Sequence, residues 1–230
     1  MVCRLDALLI DSRDPQAQAR FWAGLLDRRV IGTRVVGPDD EMVVEFIQGA
    51  DLADDSWLHL HVTSEDHDDQ LLLVDVAEHL GASPLDVGQR PEEGHLVLAD
   101  PEGNALCIIE PGNAFLAGCG RLGELACDGS PEVGRFWSSA LDWPLVWEQG
   151  EETAIQSPQG GTKIAWGGLS DGVRSSRHRL SLVSDDLDAD VDRLVRLGAT
   201  LTVREGSIAQ LTDPDGIGFV VNAQPSLPTP

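Results

Sequence analysis

The chain has 230 residues, enough for one large domain or two ordinary ones, and 42% of them are apolar, so substantial cores are expected. Its formal net charge is −23, from 39 acidic against 16 basic residues. This balance argues against nucleic acid as a partner and disfavours anionic membrane surfaces, because both require clustered lysine and arginine. It would help to attract a cationic ligand.

The four cysteines have no close metal-type spacing, so we expect reduced thiols at Cys3, Cys107, Cys119 and Cys127. The N-terminus lacks the long apolar region of a signal peptide, and the apolar runs are too short to span a bilayer. These features predict a cytoplasmic protein without a membrane partner.

The first structural unit begins with a strand predicted over residues 4–10. A helix follows from Asp14-Pro15 to about Asp27, because aspartate can cap free N–H groups and proline suits the first helical position. Strands predicted near 29–36 and 41–48 complete the unit.

A second unit repeats the order strand, helix, strands. Its predicted elements are a strand at Trp57–Thr63, a helix at Leu71–Leu80 ended by Gly81, and strands at 84–87, 95–99 and 105–109. The last strand follows the tight-turn sequence Asp100-Pro101-Glu102-Gly103 and places Glu110 at its end.

Three motifs of these units return in the same order later in the chain. Phe21-Trp22, Leu80-Gly81-Ala82 and Asp100-Pro101 reappear after 115, 117 and 113 residues as Phe136-Trp137, Leu197-Gly198-Ala199 and Asp213-Pro214. We therefore predict two homologous domains, residues 1–112 and 118–224, followed by a disordered proline-rich tail at 225–230.

Nearly the whole chain resembles the vicinal oxygen chelate superfamily, and its glyoxalase-like branch in particular. That superfamily includes glyoxalase I, extradiol dioxygenases, and fosfomycin- and bleomycin-resistance proteins. The motifs that carry the resemblance are Asp14-Pro15, Phe21-Trp22, His59-Leu60-His61-Val62, Leu80-Gly81-Ala82 and the run Gly94–Asn104. It implies an α+β fold, in which paired βαβββ modules form a curled mixed sheet with a cleft in each of two tandem domains.

In family enzymes a divalent metal is held in the cleft by side chains of the first strand of each module and of the last strand. Carried over to the first domain, these positions are His59, Glu110 and either Asp6 or Ala7. A set of Asp6, His59 and Glu110 would suit Zn, Fe, Mn or Mg.

In the second domain the matching positions carry no metal ligand. They are Arg179, Ala223 and either Arg121 or Leu122. A metal is therefore expected in the first domain only.

His61 lies two residues after His59, so both side chains face the same side of the strand. It could be an alternative ligand, a group that orients a ligand, a general base, or a histidine without a functional role. Glu110 and His61 are the candidate catalytic residues, and His95 is a further candidate for lining the cleft.

Two other groups of residues have both a functional and an ordinary interpretation. The basic cluster Arg174, Arg177, His178 and Arg179 could bind an anion or pair with neighbouring acids. The tryptophans Trp57, Trp143, Trp147 and Trp166 could line apolar pockets or belong to the core.

Two classes of function remain open from the sequence. One is a metal-dependent lyase, isomerase or dioxygenase that acts on a small molecule with adjacent oxygens. The other is a metal-free protein that sequesters an aromatic or cationic small molecule. Either could be a monomer or a homodimer.

Overall fold

The computed structural model describes residues 2–38, 41–49, 58–90, 93–168 and 177–224. Trp57, Arg174 and the predicted tail 225–230 lie outside these residues. None of the described helices is both long and apolar enough to cross a membrane.

The described chain contains four βαβββ modules. The first two consist of β1 (Arg4–Ser12), α1 (Pro15–Leu26), β2 (Arg29–Ile31), β3 (Arg34–Val36) and β4 (Val44–Gln48), then β5 (Leu58–Thr63), α2 (His67–His79), β6 (Ser83–Pro84), β7 (Leu96–Ala99) and β8 (Ala105–Ile109). The last two consist of β9 (Leu122–Cys127), α3 (Pro131–Leu141), β10 (Leu145–Gln149), β11 (Glu152–Ser157) and β12 (Gly160–Trp166), then β13 (His178–Ser184), α4 (Leu187–Leu197), β14 (Thr200–Glu205), β15 (Ile208–Thr212) and β16 (Gly218–Ala223).

The strands form two mixed sheets of eight strands each. Sheet A has the order β14-β15-β16-β13-β1-β4-β3-β2, and sheet B has the order β10-β11-β12-β9-β5-β8-β7-β6. The predicted α+β fold with paired βαβββ modules is confirmed. Both sheets are open, with no pairing between their end strands in the described residues, rather than closed into a curl.

Each sheet joins one module from each half of the chain. In sheet A the first module meets the fourth through the antiparallel pair β1–β13, and in sheet B the second module meets the third through β5–β9. The expectation that the two modules of one half would share a cleft is therefore corrected by the sheet topology.

The short connection after β8 explains how sheet B is assembled. Residues 110–121 carry the chain past the end of β5, where the Thr63 hydroxyl donates to the Gly120 carbonyl at 2.8 Å and the Thr63 N–H donates to the Arg121 carbonyl at 3.0 Å. β9 therefore pairs with the free edge of β5, because β8 already occupies the other edge.

Helices α1 and α3 each begin directly after a capping residue. Asp14 accepts a hydrogen bond from Ala17 N at 2.9 Å, and Ser130 caps α3 in the same way. α2 begins at His67, four residues before the prediction, because Asp66 caps it by accepting from Asp69 N. The predicted strand at 29–36 is a hairpin of two short strands, with Gly32 at positive φ in the turn.

The apolar faces of the helices and both sheets form one large core. Phe21 and Trp22 lie within it, 2% and 1% exposed, as do Phe136 and Trp137. A smaller cluster of Cys107, Ile109 and Leu116 lies where the connection 110–121 covers sheet B.

Candidate functional site

A cavity of about 480 Å³ lies over sheet B, and its wall is built from residues of both halves. Its lining residues include His59 and His61 from β5, Glu110 from the end of β8, and Glu124 from β9. The connection 110–121 contributes Phe115 and Leu116 to the wall. The volume falls in the range of small-molecule sites, about 300–1,000 Å³.

The central feature of the site is a row of polar side chains across three strands. His61 is in register with Glu124 on β9 and with Cys107 on β8. Residues in register on adjacent strands project from the same face of a sheet, so the imidazole lies between the carboxylate and the thiol.

The contact between His61 and Glu124 is short and shielded from water. His61 Nδ1 lies 2.5 Å from Glu124 Oε2, and the two side chains are 17% and 8% exposed. Burial lowers the pKa of His61, but the hydrogen bonds to Cys107 and Glu124 outweigh it and raise that pKa to about 9. A partly buried histidinium–carboxylate pair results.

His59 lies beside His61, with ring centroids 4.8 Å apart. Burial, and after it the nearby charge of His61, lowers the pKa of His59 to about 4. The neutral imidazole that results at pH 7 is the form that binds metal ions.

Three donor atoms converge on this face of sheet B, two from the lining residues His59 and His61 and one from the adjacent Cys107. One ligand atom each from His59, His61 and Cys107 lies within 4.8 Å of the other two. Two imidazoles and a thiol are ligands for borderline divalent ions such as Zn²⁺.

Glu110 and His95 also line the cavity. Asn113 Nδ2 donates to Glu110 Oε1 at 2.8 Å, which fixes the carboxylate at the end of β8. Gly94 lies close to that side chain, since a Cβ built on it would lie 3.1 Å from Glu110 Cβ.

The structure does not bring Asp6 to this site. Asp6 lies on β1 in sheet A, where Arg34 donates to both of its carboxylate oxygens, at 2.9 and 3.1 Å. Ala7, the other candidate for the first-strand position, is also on β1 and fully buried. On the edge of β5 opposite β8, the strand that pairs with it is β9, the first strand of the third module, and it contributes Glu124 to the site instead.

Glu124 and Cys107 were not predicted from the sequence. Glu124 is a single carboxylate within the apolar strand Leu122–Cys127, a pattern that often marks a buried functional acid and could have been noticed. Cys107 gives no comparable signal, because a cysteine in an apolar strand resembles any small core residue.

The corresponding face of sheet A carries ion pairs. Arg179 Nη2 donates to Asp11 Oδ1 at 3.0 Å, and Arg34 also donates to Glu45 at 2.6 Å. Arg177 lies 3.6 Å from Glu102, and His178 is buried between the two arginines. Within the described residues, Arg177 and Arg179 of the basic cluster are thus in contact with neighbouring acids.

Aromatic side chains form part of the cavity wall. Trp147 and Trp166 both line it, and Trp147 packs edge-on against Phe115 with ring centroids 5.7 Å apart. Trp143 packs against the core.

Comparisons with known proteins agree with this architecture. A family model described as "Glyoxalase-like domain" matches the chain twice, over residues 7–109 and 124–222. The crystal structure of glyoxalase I from Zea mays is similar with a TM-score of 0.66 at 14% identity, covering 96% of this chain and 92% of that one. A putative dioxygenase from Bacillus subtilis subsp. subtilis str. 168 gives 0.61 at 13% identity, covering 96% and 85%. At these identities the two structures show a shared fold, and no curated protein matches the sequence.

Proposed function

This chain belongs to the glyoxalase-like domain family, and from that premise we propose that the cavity over sheet B is the active site of a divalent-metal-dependent enzyme. The substrate would be a small molecule with adjacent oxygens, and the reaction that of a lyase, isomerase or dioxygenase. The observation that carries the proposal is the pair His59 and His61 at the floor of the cavity, with a third donor within 4.8 Å.

The residues present suit such a metal centre. His59 is neutral and offers a ring nitrogen. Glu124 holds His61 through Nδ1, and an ion that binds the other ring nitrogen would displace the proton there and replace the hydrogen bond to Cys107. A carboxylate behind a ligating histidine is the usual means of fixing its orientation. When bound, a divalent ion would polarise the oxygens of the substrate as a Lewis acid.

Glu110 has the properties of a proton acceptor beside that centre. Its carboxylate lines the cavity, and Asn113 donates to one of its oxygens, so the other is left to face the substrate. General bases require this fixed position within hydrogen-bonding reach of the reacting atoms.

Metal titration followed by a turnover screen tests the proposal. Isothermal titration calorimetry of tag-free, metal-stripped protein should show Zn²⁺ or Mn²⁺ binding at micromolar levels. His59→Ala should abolish this binding, and Glu124→Gln should weaken it about 10–100-fold because His61 loses its anchor. His79→Ala is the matched control, since His79 is exposed on α2.

The screen should use hemithioacetals, catechols and α-keto acids with the loaded protein. Turnover that is lost in both His59→Ala and Glu110→Gln is expected. Turnover that survives both substitutions would contradict the placement of the active site.

A metal-free binding protein is the second candidate, and one feature of the cavity favours it. Its lining contains four carboxylates, Glu110, Glu124, Asp128 and Glu152, next to the aromatic rings, and no lysine or arginine from the described chain. Such a wall suits a cationic aromatic molecule. Absence of micromolar metal binding, with tight aromatic uptake that His59→Ala leaves unchanged, would favour this second function.

A further inference from the structure

The thiol of Cys107 lies next to the histidine that the proposed metal centre needs. The register of the parallel strands β5 and β8 places Cys107 beside His61 on the same face of sheet B. The alternation of side chains along β5 places His59 on that face as well. Their donor atoms lie within 4.8 Å of one another.

The distances between these three donor atoms are close to the distances between the ligand atoms of a bound metal ion. Zinc–nitrogen and zinc–sulfur distances of about 2.0–2.3 Å require donors about 3.5 Å apart in tetrahedral geometry. Movement of each donor by about 1 Å, which small side-chain rotations provide, would bring the three together.

Each of the two nearby carboxylates has one oxygen engaged in a hydrogen bond. Glu124 Oε2 lies 2.5 Å from His61 Nδ1, and Glu110 Oε1 accepts from Asn113. Neither carboxylate belongs to the convergent group of three donors. Cys107 is the third donor of that group.

The burial of Cys107 and the negative charge of its thiolate also favour a metal ion at this position. Cys107 is 6% exposed and packs with Ile109 and Leu116, so a thiolate there needs a compensating positive charge. A divalent cation bound there would supply that charge, in place of the protons that it displaces from His61 and Cys107.

We propose that His59, His61 and Cys107 form a thiolate-containing metal centre that selects zinc-like ions over Mg²⁺ and Ca²⁺. Thiolate and imidazole favour borderline and soft ions, whereas Mg²⁺ and Ca²⁺ require oxygen ligands. Three protein ligands leave a fourth position open, as in catalytic zinc sites. This inference rests on the proposed metal-dependent function.

Cobalt substitution tests the sulfur ligand without relying on activity. Metal-stripped protein titrated with Co²⁺ should develop a near-ultraviolet sulfur-to-cobalt charge-transfer band. Cys107→Ser should lose the band, while Cys127→Ser should keep it, because Cys127 lines the same cavity without belonging to the donor group. Mg²⁺ in excess should not displace the cobalt.

X-ray absorption at the zinc edge of the wild-type protein provides a second measurement that does not depend on the folding of a variant. One sulfur at about 2.3 Å from zinc is expected. Zinc bound with nitrogen and oxygen neighbours alone, or cobalt bound without the charge-transfer band, would overturn the role of Cys107 and leave the metal-dependent function standing. Failure of the protein to bind either ion would overturn both.

Discussion

The repeated Phe-Trp and Asp-Pro motifs are physically connected. Trp22 Nε1 donates to Asp100 Oδ2 at 3.1 Å, and in the second half Trp137 Nε1 donates to Asp213 Oδ2 at 3.2 Å. The other oxygen of each aspartate accepts two backbone N–H groups of its own turn. Each half therefore attaches its first helix to its last tight turn through one buried carboxylate.

The two copies differ by one side-chain donor. Asn104 Nδ2 donates to Asp100 Oδ2 at 2.7 Å, whereas the matching residue of the second half is Ile217, which has no side-chain donor. Burial is the main cause that raises the pKa of Asp213 to about 6, and the charge of Asp215 adds to it. The folded state therefore favours the protonated form of Asp213 more than the unfolded state does.

We predict that Ile217→Asn lowers the pKa of Asp213 and changes how stability depends on pH. With a folded pKa near 6 and an ordinary value of 3.8, Asp213 contributes stability that is present below pH 3.8 and lost as pH rises through 6. Relative to the variant, the wild type should lose about 1 kcal/mol of unfolding free energy between pH 5 and pH 7. Urea unfolding at both pH values measures the difference.

The wild type must be compared with the Ile217→Asn variant, because other titratable groups change the stability in the opposite direction as the pH rises. Burial lowers the pKa of His178 to about 3, so its contribution to stability falls as pH drops from 6.5 toward 3. This contribution is the same in both proteins and cancels in their difference. Identical pH dependence of wild type and variant would refute the assignment to Asp213.

At the scale of elements, the sequence predicts the features that are determined by residues close together in the chain. Capping by Asp14 and Ser130 and the turn at Asp100 give the helix starts and the final strands, since these signals act within four residues. The alternation of side chains also places His59 and His61 on one face.

The partners of His61 could not be predicted in the same way. Glu124 and Cys107 reach it through register between strands that are 63 and 46 positions apart in the chain. The register with Glu124 depends on which edge of β5 pairs with β9, and the register with Cys107 depends on how β8 aligns with β5. No local sequence pattern specifies either alignment. Asp6 was assigned to the site for the same reason, through the assumption that the first module pairs with the second.

We predict that Gly134→Ala destabilises the protein where α3 packs on β11. A Cβ at Gly134 would lie 2.0 Å from Thr153 Oγ1 and 2.6 Å from Thr153 Cβ, and Thr153 is fully buried. Overpacking of about 1–3 kcal/mol should exceed the gain of about 1 kcal/mol in helix propensity. Thermal or urea unfolding measures the net loss.

Gly24→Ala is the matched control, also in a helix. Its Cβ would lie 2.9 Å from Leu80 Cδ1, the flexible end of a side chain that is 36% exposed and can move aside. The propensity gain should then leave this variant as stable as the wild type or slightly more stable. A stable Gly134→Ala variant would show that α3 can shift away from β11.

At the scale of the whole molecule, the two halves are joined through both sheets. β1 pairs with β13 at the centre of sheet A, and β5 pairs with β9 at the centre of sheet B. Within each half, the modules are connected by the tryptophan–aspartate bond. A second carboxylate adds to this connection: Glu102 accepts from Ser12 and Arg13 in the first half, and Asp215 accepts from Ser130 in the second. The cavity therefore exists only when the halves are together, since His61 and Glu124 belong to different halves.

The first half should consequently not be a stable monomer when it is produced alone. Residues 1–112 would expose an edge of β1 and an edge of β5, each normally covered by a strand of the second half. Exposed central edges with apolar flanks favour self-association. Because the second half repeats the first, β1 of one copy can pair with β5 of another, so we predict a homodimer with two such pairings.

Sedimentation velocity of the isolated half should show a dimer. Its mixture with residues 113–224 should form a complex that contains one copy of each half. This heterodimer should recover metal binding, because it restores Glu124 beside His61, whereas the homodimer should bind metal more weakly.

The position that Glu124 holds beside β5 would be taken in the homodimer by a residue of β1, where the candidates are Asp6 and Ala7. A monomeric first half with cooperative unfolding would contradict this account, because it would show that the edges of β1 and β5 need no partner.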